Sequence, residues 1–487
     1  MSTQQSDQVS DRIDLVRGLG LIAAVSIVIG NVIGTGVFLK ARVMTCNVGT
    51  PNRVVAVWVA AGLLSLAGAL TYAELAAMMP KAGGEYVFLR NAYGRATGFL
   101  YGWMQIFIAK TGSQASVAVA LAIFLNEATK GAGTTGALEG VFFRAPLFGG
   151  EFVFGVGQVI ALAAIALFTL INCASVTSSG RIASVLTVVK IALVLGIGFG
   201  AFLLTAQGSF GNFNLTGAGG LCEGVPEAAR AGVAGFGAAM LGALWGYDGW
   251  NNLTLVAGEV KNPQRNIPIA LIAGMFTIIT LYVFVNLAYF YALPPAEIAS
   301  VSKTSSVAAE VARTFLGPLA VGLIALCLTA SSIGTLHTSI LTGARVPYAM
   351  SRDRLLPTAL AQLSPRTRVP VVALIFQGVW AGVLALSGSF DTLTDYVIFG
   401  SWIFYGLTTA SVFVFRRRMP DAERPYRAWG YPVVPVVFLL VTGWLLVNTL
   451  MTAPRQSITG IVLILLGLPF YWLLSRGNAA APNEEEN

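Results

Sequence analysis

Residues 29–39 read IGNVIGTGVFL and sit inside the first long apolar run of the chain. Each Gly in a helix interior costs roughly 1 kcal/mol relative to Ala, because it gives up backbone entropy and packs nothing. A segment that had only to cross a bilayer would carry Leu there. One reading of Gly30, Gly34 and Gly36 is a small-residue seam that lets two helices approach closely. The other is a helix that breaks in mid-membrane, leaving bare backbone groups free to hold a ligand.

Composition fixes the solvent around that segment. With 56% apolar residues, 11% charged and a mean hydropathy of +0.74, the 487 residues cannot form a soluble globule, for which about 25% charged is usual. A hydrocarbon core about 30 Å thick needs roughly 20 apolar residues per helix. Twelve such runs are present, near 18–41, 54–79, 96–126, 151–172, 182–206, 232–258, 268–292, 315–344, 369–387, 391–415, 433–452 and 457–475. They are too long, and alternate too little, to be the strands of a barrel. The fold class expected is an all-α polytopic membrane protein with twelve transmembrane helices and no cleaved signal.

Lys and Arg fall unevenly on the connections. The N-terminus, the even-numbered connections and the C-terminal tail hold 19, the odd-numbered ones hold 9 with Lys40 at the edge of the first run counted among them, and Lys110 and Lys190 lie deep within spans. That bias puts both termini in the cytoplasm, so the net charge of +8 is no nucleic-acid footprint. Cys173 and Cys327 lie in apolar runs. Cys46 and Cys222 fall in expected outer connections and could pair, but with no geometry to bring them together free thiols are the favoured expectation. One histidine, His337, and no Cys-x-x-Cys spacing give no metal or cofactor site and no enzyme chemistry.

The sixth run carries ALWGYDGWNNL at 243–253, interrupted at its middle by small and polar residues as the first run is. Interrupted spans in matching positions of two halves point to a transporter binding site. A spacing of five spans gives two halves of opposite orientation. The expected organisation is a tail at 1–13, a five-helix repeat at 14–206, an inverted second repeat at 232–415, a connection and two further helices at 416–475, and a tail at 476–487.

A break exposes N–H groups on one half-helix and C=O groups on the other. An α-amino acid, with its carboxylate and ammonium one carbon apart, fits that pair of ends. Gly34, Thr35 and Gly36 are expected to present N–H groups, with carbonyls near Val32, Trp245 and Gly246 facing the ammonium. Lys190, in TVVKIALVLG, lies too deep to snorkel, and a lysine at helix centre costs about 2.5–3.5 kcal/mol unless partnered. It is expected to reach carbonyls at the first break. Asp248 has two readings, a contact for a cationic substrate side chain or a cap on the freed N–H groups of the second half-helix. His337 reads as a satisfied interior histidine.

GNVIGTGVF, EYVFLRNAYG at 85–94 and ALWGYDGWNNLTLVAGEVKNPQRNIPIAL at 243–271 resemble the L-type amino acid transporter (LAT) branch of the amino acid-polyamine-organocation (APC) superfamily, over about residues 14–475. The resemblance implies a fold of inverted five-helix repeats with broken helices 1 and 6, and sodium-independent transport of neutral L-amino acids, by exchange or with a proton. Gly34-Thr35-Gly36 then matches the carboxylate-binding segment, Trp245 the aromatic cover of the substrate, and Asn251 a polar pocket position. Lys190 matches the lysine that replaces a sodium ion. Tyr282 enters as a pocket residue by the same analogy, Lys110 as a basic position of the third span, and Glu259, with Glu74, Glu85 and Arg265, as gate or structural charges. Animal heteromeric members attach a glycoprotein through a cysteine after the third span. Residues 127–150 have none, so a monomeric permease of the bacterial inner membrane is expected, without a disulfide-linked subunit. The alternatives are a transporter of cationic amino acids or polyamines that uses Asp248, and a non-transporting sensor.

Overall fold

A computed structural model describes residues 15–131, 138–147, 150–217, 219–302, 305–387, 390–452 and 454–478. The expected N-terminal tail and most of the C-terminal one lie outside them. The first apolar run forms α1 (Leu21–Val32) and α2 (Gly36–Val48), whose axes bend by 40° at a three-residue break. Then come α3 (Pro51–Met78), α4 (Glu85–Tyr93), α5 (Arg95–Met104), α6 (Lys110–Gly131), α7 (Val156–Ala174) and α8 (Val176–Leu204). The sixth run forms α9 (Gly232–Tyr247) and a single turn, α10 (Asn252–Leu255), on the far side of a second break. The chain continues with α11 (Pro263–Ala292), α12 (Pro295–Ser300), α13 (Val307–Leu316), α14 (Ala320–Gly343), α15 (Arg345–Arg352), α16 (Val371–Ser387) and α17 (Phe390–Arg418). It ends with α18 (Val433–Thr452), α19 (Pro454–Leu465) and α20 (Gly467–Asn478).

Each expected apolar run falls on helix over most of its length, although the fourth, expected from 151, is strand up to Gly155 and helix only from Val156. Among the described residues, eight helices are long and apolar enough to cross a membrane, nine if α1 and α2 count as one span. The local signals are ordinary ones. Thr50 accepts from the Arg53 N–H, with Pro51 at the first position of α3, and Ser175 accepts from the Ser178 N–H to start α8. Gly49, at φ 79°, closes α2 in the left-handed conformation.

Two features depart from the sequence expectation. The long third run is not one regular helix, because Gln105–Ala109 form a π-helical turn between α5 and α6. The connection before α7, expected on the outer side, carries a hairpin of β1 (Val141–Leu147) and β2 (Gly150–Gly155), rich in Phe and Val.

Burial separates an inner layer from an outer one. In the apolar windows of α5–α6 and α3, 72% and 67% of residues are buried, against 22% in those of α18 and α19–α20. The peripheral helices turn Leu440, Met451, Trp472 and Leu473 outward, where lipid rather than water is the solvent. Cys46 and Cys222, expected as free thiols, form a disulfide with a Cα–Cα distance of 5.6 Å, tying α2 to the connection before α9. A partner 176 residues away leaves no trace in local sequence.

Buried charges pin the chain at the expected cytoplasmic side. Glu259 pairs with Arg345 at the start of α15, through bonds of 2.6 and 2.8 Å, and both side chains are fully buried. The Arg345 guanidinium also donates to the Leu341 carbonyl. Glu74 on α3 accepts from Arg416 on α17 at 3.0 and 2.7 Å and from the Ala428 N–H at 2.6 Å. Tyr86 on α4 donates to Asp353 at 2.5 Å, and Arg90 pairs with the same carboxylate. Burial, then the Asp353 charge, push the Tyr86 phenol up, so it stays a donor.

Removing one member of a buried pair strands the other charge and typically costs about 3–5 kcal/mol. Arg345→Ala is expected to lower the melting temperature in detergent by several degrees. The double variant with Glu259→Leu is expected to melt higher than Arg345→Ala alone. A double variant no more stable than Arg345→Ala overturns this.

Candidate functional site

The break between α1 and α2 leaves a row of donors. Among the described residues, the N–H groups of Gly34, Thr35 and Gly36 donate to no backbone or side-chain acceptor. The first bonds of α2 come later, from Phe38 and Leu39 to the Thr35 carbonyl, both at 3.2 Å. These free N–H groups are the positive end of a helix dipole, as at any helix N-terminus that binds an anion.

The three glycines of the opening stretch do different work. A Cβ on Gly36 would lie 2.6 Å from the Gly246 Cα, so this glycine lets the two broken helices touch backbone to backbone. A Cβ on Gly30 would lie 2.9 Å from the Thr187 hydroxyl. Around Gly34 the nearest atom would be 3.6 Å away, so its amide is open rather than packed. The seam and the break are both present, at different residues.

Lys190 closes the carbonyl end of α1. Its ammonium donates to the Gly30 carbonyl at 2.7 Å, the Ile33 carbonyl at 2.6 Å and the Thr335 hydroxyl of α14 at 2.7 Å. A Cβ on Gly334 would lie 2.7 Å from Lys190 Cε, so the lysine stem needs that glycine. Tyr282 on α11 is fully buried, and its hydroxyl lies 2.9 Å from both the Val32 and the Gly246 carbonyls.

That contact corrects two expectations. Tyr282 does not line the cavity at the breaks, and neither does Gly246. The Val32 and Gly246 carbonyls share the one hydrogen of the Tyr282 hydroxyl, while the Trp245 carbonyl accepts from the Asp248 N–H at 3.2 Å. The end carbonyl of α1 with no donor among the described residues is that of Asn31. Asn31 lines the cavity, and its side chain is turned back onto the Ile27 carbonyl at 2.8 Å.

At the second break Gly249 takes φ 102°, which only glycine adopts without strain. The Asp248 carboxylate accepts from the Tyr405 hydroxyl of α17 at 2.7 Å and lies by the Gly249 N–H. It therefore holds the turn itself rather than the start of α10, whose cap residue is Asn251. Asn251 is buried and donates to Glu85 at 2.8 Å. Glu85 also accepts from Tyr72 and Tyr101, each at 2.5 Å. Among the described residues, a carboxylate with three neutral hydrogen-bond donors and no ion pair thus underlies the site.

One cavity joins these parts. It is lined by Asn31, Val32, Gly34, Thr35 and Gly36 from the first break, and by Trp245, Asp248, Gly249, Asn251 and Asn252 from the second. Gln105, the first residue of the π turn, and Lys110, the residue just after it, line the cavity too. Ser113, Thr335, Ser339, Ser401 and Tyr405 complete most of the rest. Sequence reasoning missed Asn31, Gln105, Ser113, Ser339, Ser401 and Tyr405. Polar residues at helical spacing in SSIGTLHTSIL were the available signal.

His337 lies outside the cavity, fully buried, with Nε2 2.9 Å from the Ser179 carbonyl and Nδ1 3.3 Å from the Asn172 amide. Glu259 is remote as well, held by Arg345. Among the described residues no cluster of His, Cys, Asp or Glu is arranged for a metal.

A family model described as "Amino acid permease" matches residues 19–474. The serine/threonine exchanger SteT of Bacillus subtilis (strain 168) is 30% identical over 471 residues, covering 96% of this chain and 98% of that one. The human b(0,+)-type amino acid transporter 1 is 30% identical over 461 residues, 94% of this chain and 88% of that one. The human large neutral amino acids transporter small subunit 2 is 29% identical over 469 residues, 94% and 80%. The first broken helix supplies free amides and a free carbonyl, the second lines the same cavity, and interrupted helices in matching positions mark transporter binding sites. The chain belongs to the amino acid permease family, in the LAT branch of the APC superfamily, and is an amino acid transporter.

Proposed function

We propose that this chain is a sodium-independent exchanger of neutral L-amino acids, working by alternating access around the two breaks. The observation that carries the reading is that Gly34–Gly36, whose amides donate to nothing, and Asn31, whose carbonyl accepts from nothing among the described residues, line one cavity. The substrate carboxylate takes the amides and the Thr35 hydroxyl, its ammonium takes the Asn31 carbonyl, and Trp245 covers it. Lys190 fills with a fixed ammonium the carbonyl-lined position where a sodium ion would otherwise sit. Exchange is supported by the name of the bacillary relative, a serine/threonine exchanger.

In this reading the twelve helices form two inverted five-helix repeats, 14–206 and 232–415, followed by two further helices. Both termini are cytoplasmic and the membrane is the plasma membrane. The chain works without a disulfide-linked subunit. Cys46 and Cys222 bond to each other, and Cys173 and Cys327, the free thiols among the described residues, lie within α7 and α14.

Purified chain in proteoliposomes tests this. Uptake of a labelled neutral amino acid should rise severalfold when the lumen is preloaded with unlabelled amino acid, and should not change when sodium is replaced by potassium. Uptake that needs sodium, or that ignores preloading and follows a pH gradient, sinks the coupling assigned here.

Two variants test the site. Lys190→Met removes charge-assisted bonds worth about 1.5–3 kcal/mol each and leaves two carbonyls under-served, so uptake is expected to fall by about tenfold or more with the folded fraction retained in size-exclusion chromatography. Gly36→Val places a side chain against the Gly246 backbone, where nothing flexible can give way, and is expected to abolish uptake. Unchanged transport in either variant removes that residue from the site.

A further inference from the structure

Lys110 is the part of the cavity that the amino acid backbone leaves unused. It is the first residue of α6, just after the π turn, and is only 7% exposed. Its stem passes Gly343 of α14, where a Cβ would lie 2.7 Å from Lys110 Cγ. Yet among the described residues its ammonium donates no hydrogen bond and makes no ion pair, although a buried ammonium has three donors to satisfy. Asp248 and Glu85 act on it only through space. Lys190, equally buried, has all its donors engaged. The difference marks Lys110 as a group waiting for an acceptor.

The surroundings say what kind of acceptor. Gln105, Ser113, Asp248, Ser339 and Ser401 line the cavity with it, whereas small-molecule pockets are usually lined mainly by apolar groups. A site of this polarity strands donors and acceptors when a hydrocarbon side chain enters, and a polar site rejects a ligand that lacks the matching group.

We propose that Lys110 is a specificity-determining residue whose ammonium donates to an oxygen of the substrate side chain, so that the favoured substrates are neutral amino acids bearing a side-chain hydroxyl or amide, such as serine, threonine and glutamine, rather than branched hydrocarbon ones. The inference rests on the reading of the cavity as the transport site and deepens it. The Asp248 carboxylate, with the Lys110 charge nearby, accepts from the donor half of the same side-chain group.

The test is counterflow of labelled serine, glutamine and leucine into preloaded proteoliposomes, read as ratios so that differences in protein amount cancel. Wild-type chain is expected to move serine and glutamine about tenfold faster than leucine, the scale of one charge-assisted hydrogen bond. Lys110→Met is expected to bring the three within about twofold of one another and to raise lysine uptake relative to glutamine, because the repelling charge is gone. Lys110→Arg keeps charge and donors and should keep the polar preference, and Lys110→Gln should fall between. Leucine moved as fast as glutamine by the wild type, or an unaltered ratio in Lys110→Met, overturns the assignment. If Lys110→Met does not fold, the wild-type and Lys110→Gln ratios decide in the same way. Absence of counterflow for every amino acid tried would instead bring down the transport reading on which the inference stands.

Discussion

A single ammonium holds the interrupted helix together. Without Lys190, the Gly30 and Ile33 carbonyls would face the membrane interior with only hydroxyl donors, and an unsatisfied peptide group there costs several kcal/mol. The lysine has the same problem in mirror image, since its charge could not stay buried without those oxygens. Each defect is the other's remedy. The pair also spans the chain, joining α8 to α1 and, through Thr335, to α14.

Once the carbonyl end is closed in this way, the amide end can stay open. Gly36 lets α2 lie against α9 at backbone distance, so the amides of one break and the turn of the other share one small volume. Gly249 supplies the left-handed turn. Tyr405 and Asn251 fix the polar side chains of the second break and hand the network on to Glu85. The cavity is therefore built by neighbours that order its walls before any substrate arrives, which is the condition for strong binding by fixed dipoles.

Much of this was legible in the sequence because it violates local rules. Gly, Asn and Thr in an apolar run, and a lysine nine residues into another run, conflict with what a bilayer span needs, and conflicts of that kind mark functional sites. What stayed hidden is long-range partner choice. Nothing near Glu259 says that Arg345, 86 residues on, will meet it, and Cys46 does not announce Cys222. Tyr282 reads as one more aromatic in an apolar helix until its hydroxyl is seen between two breaks. The π turn escaped for a related reason: one extra residue in a helix changes which side chains face inward without changing composition. It is that turn which brings both Gln105 and Lys110 to the cavity.

The Tyr282 hydroxyl deserves proton counting. It stands at equal distance from two carbonyl oxygens, yet a phenol has one hydrogen to give. At any instant one of the two helix ends is served and the other is not, so the shortage is shared between them. Whatever shifts α9 a few tenths of an ångström relative to α1 hands that hydrogen to one side. The phenol is thus a balance beam between the two halves of the molecule, and its resting position records which half is closer.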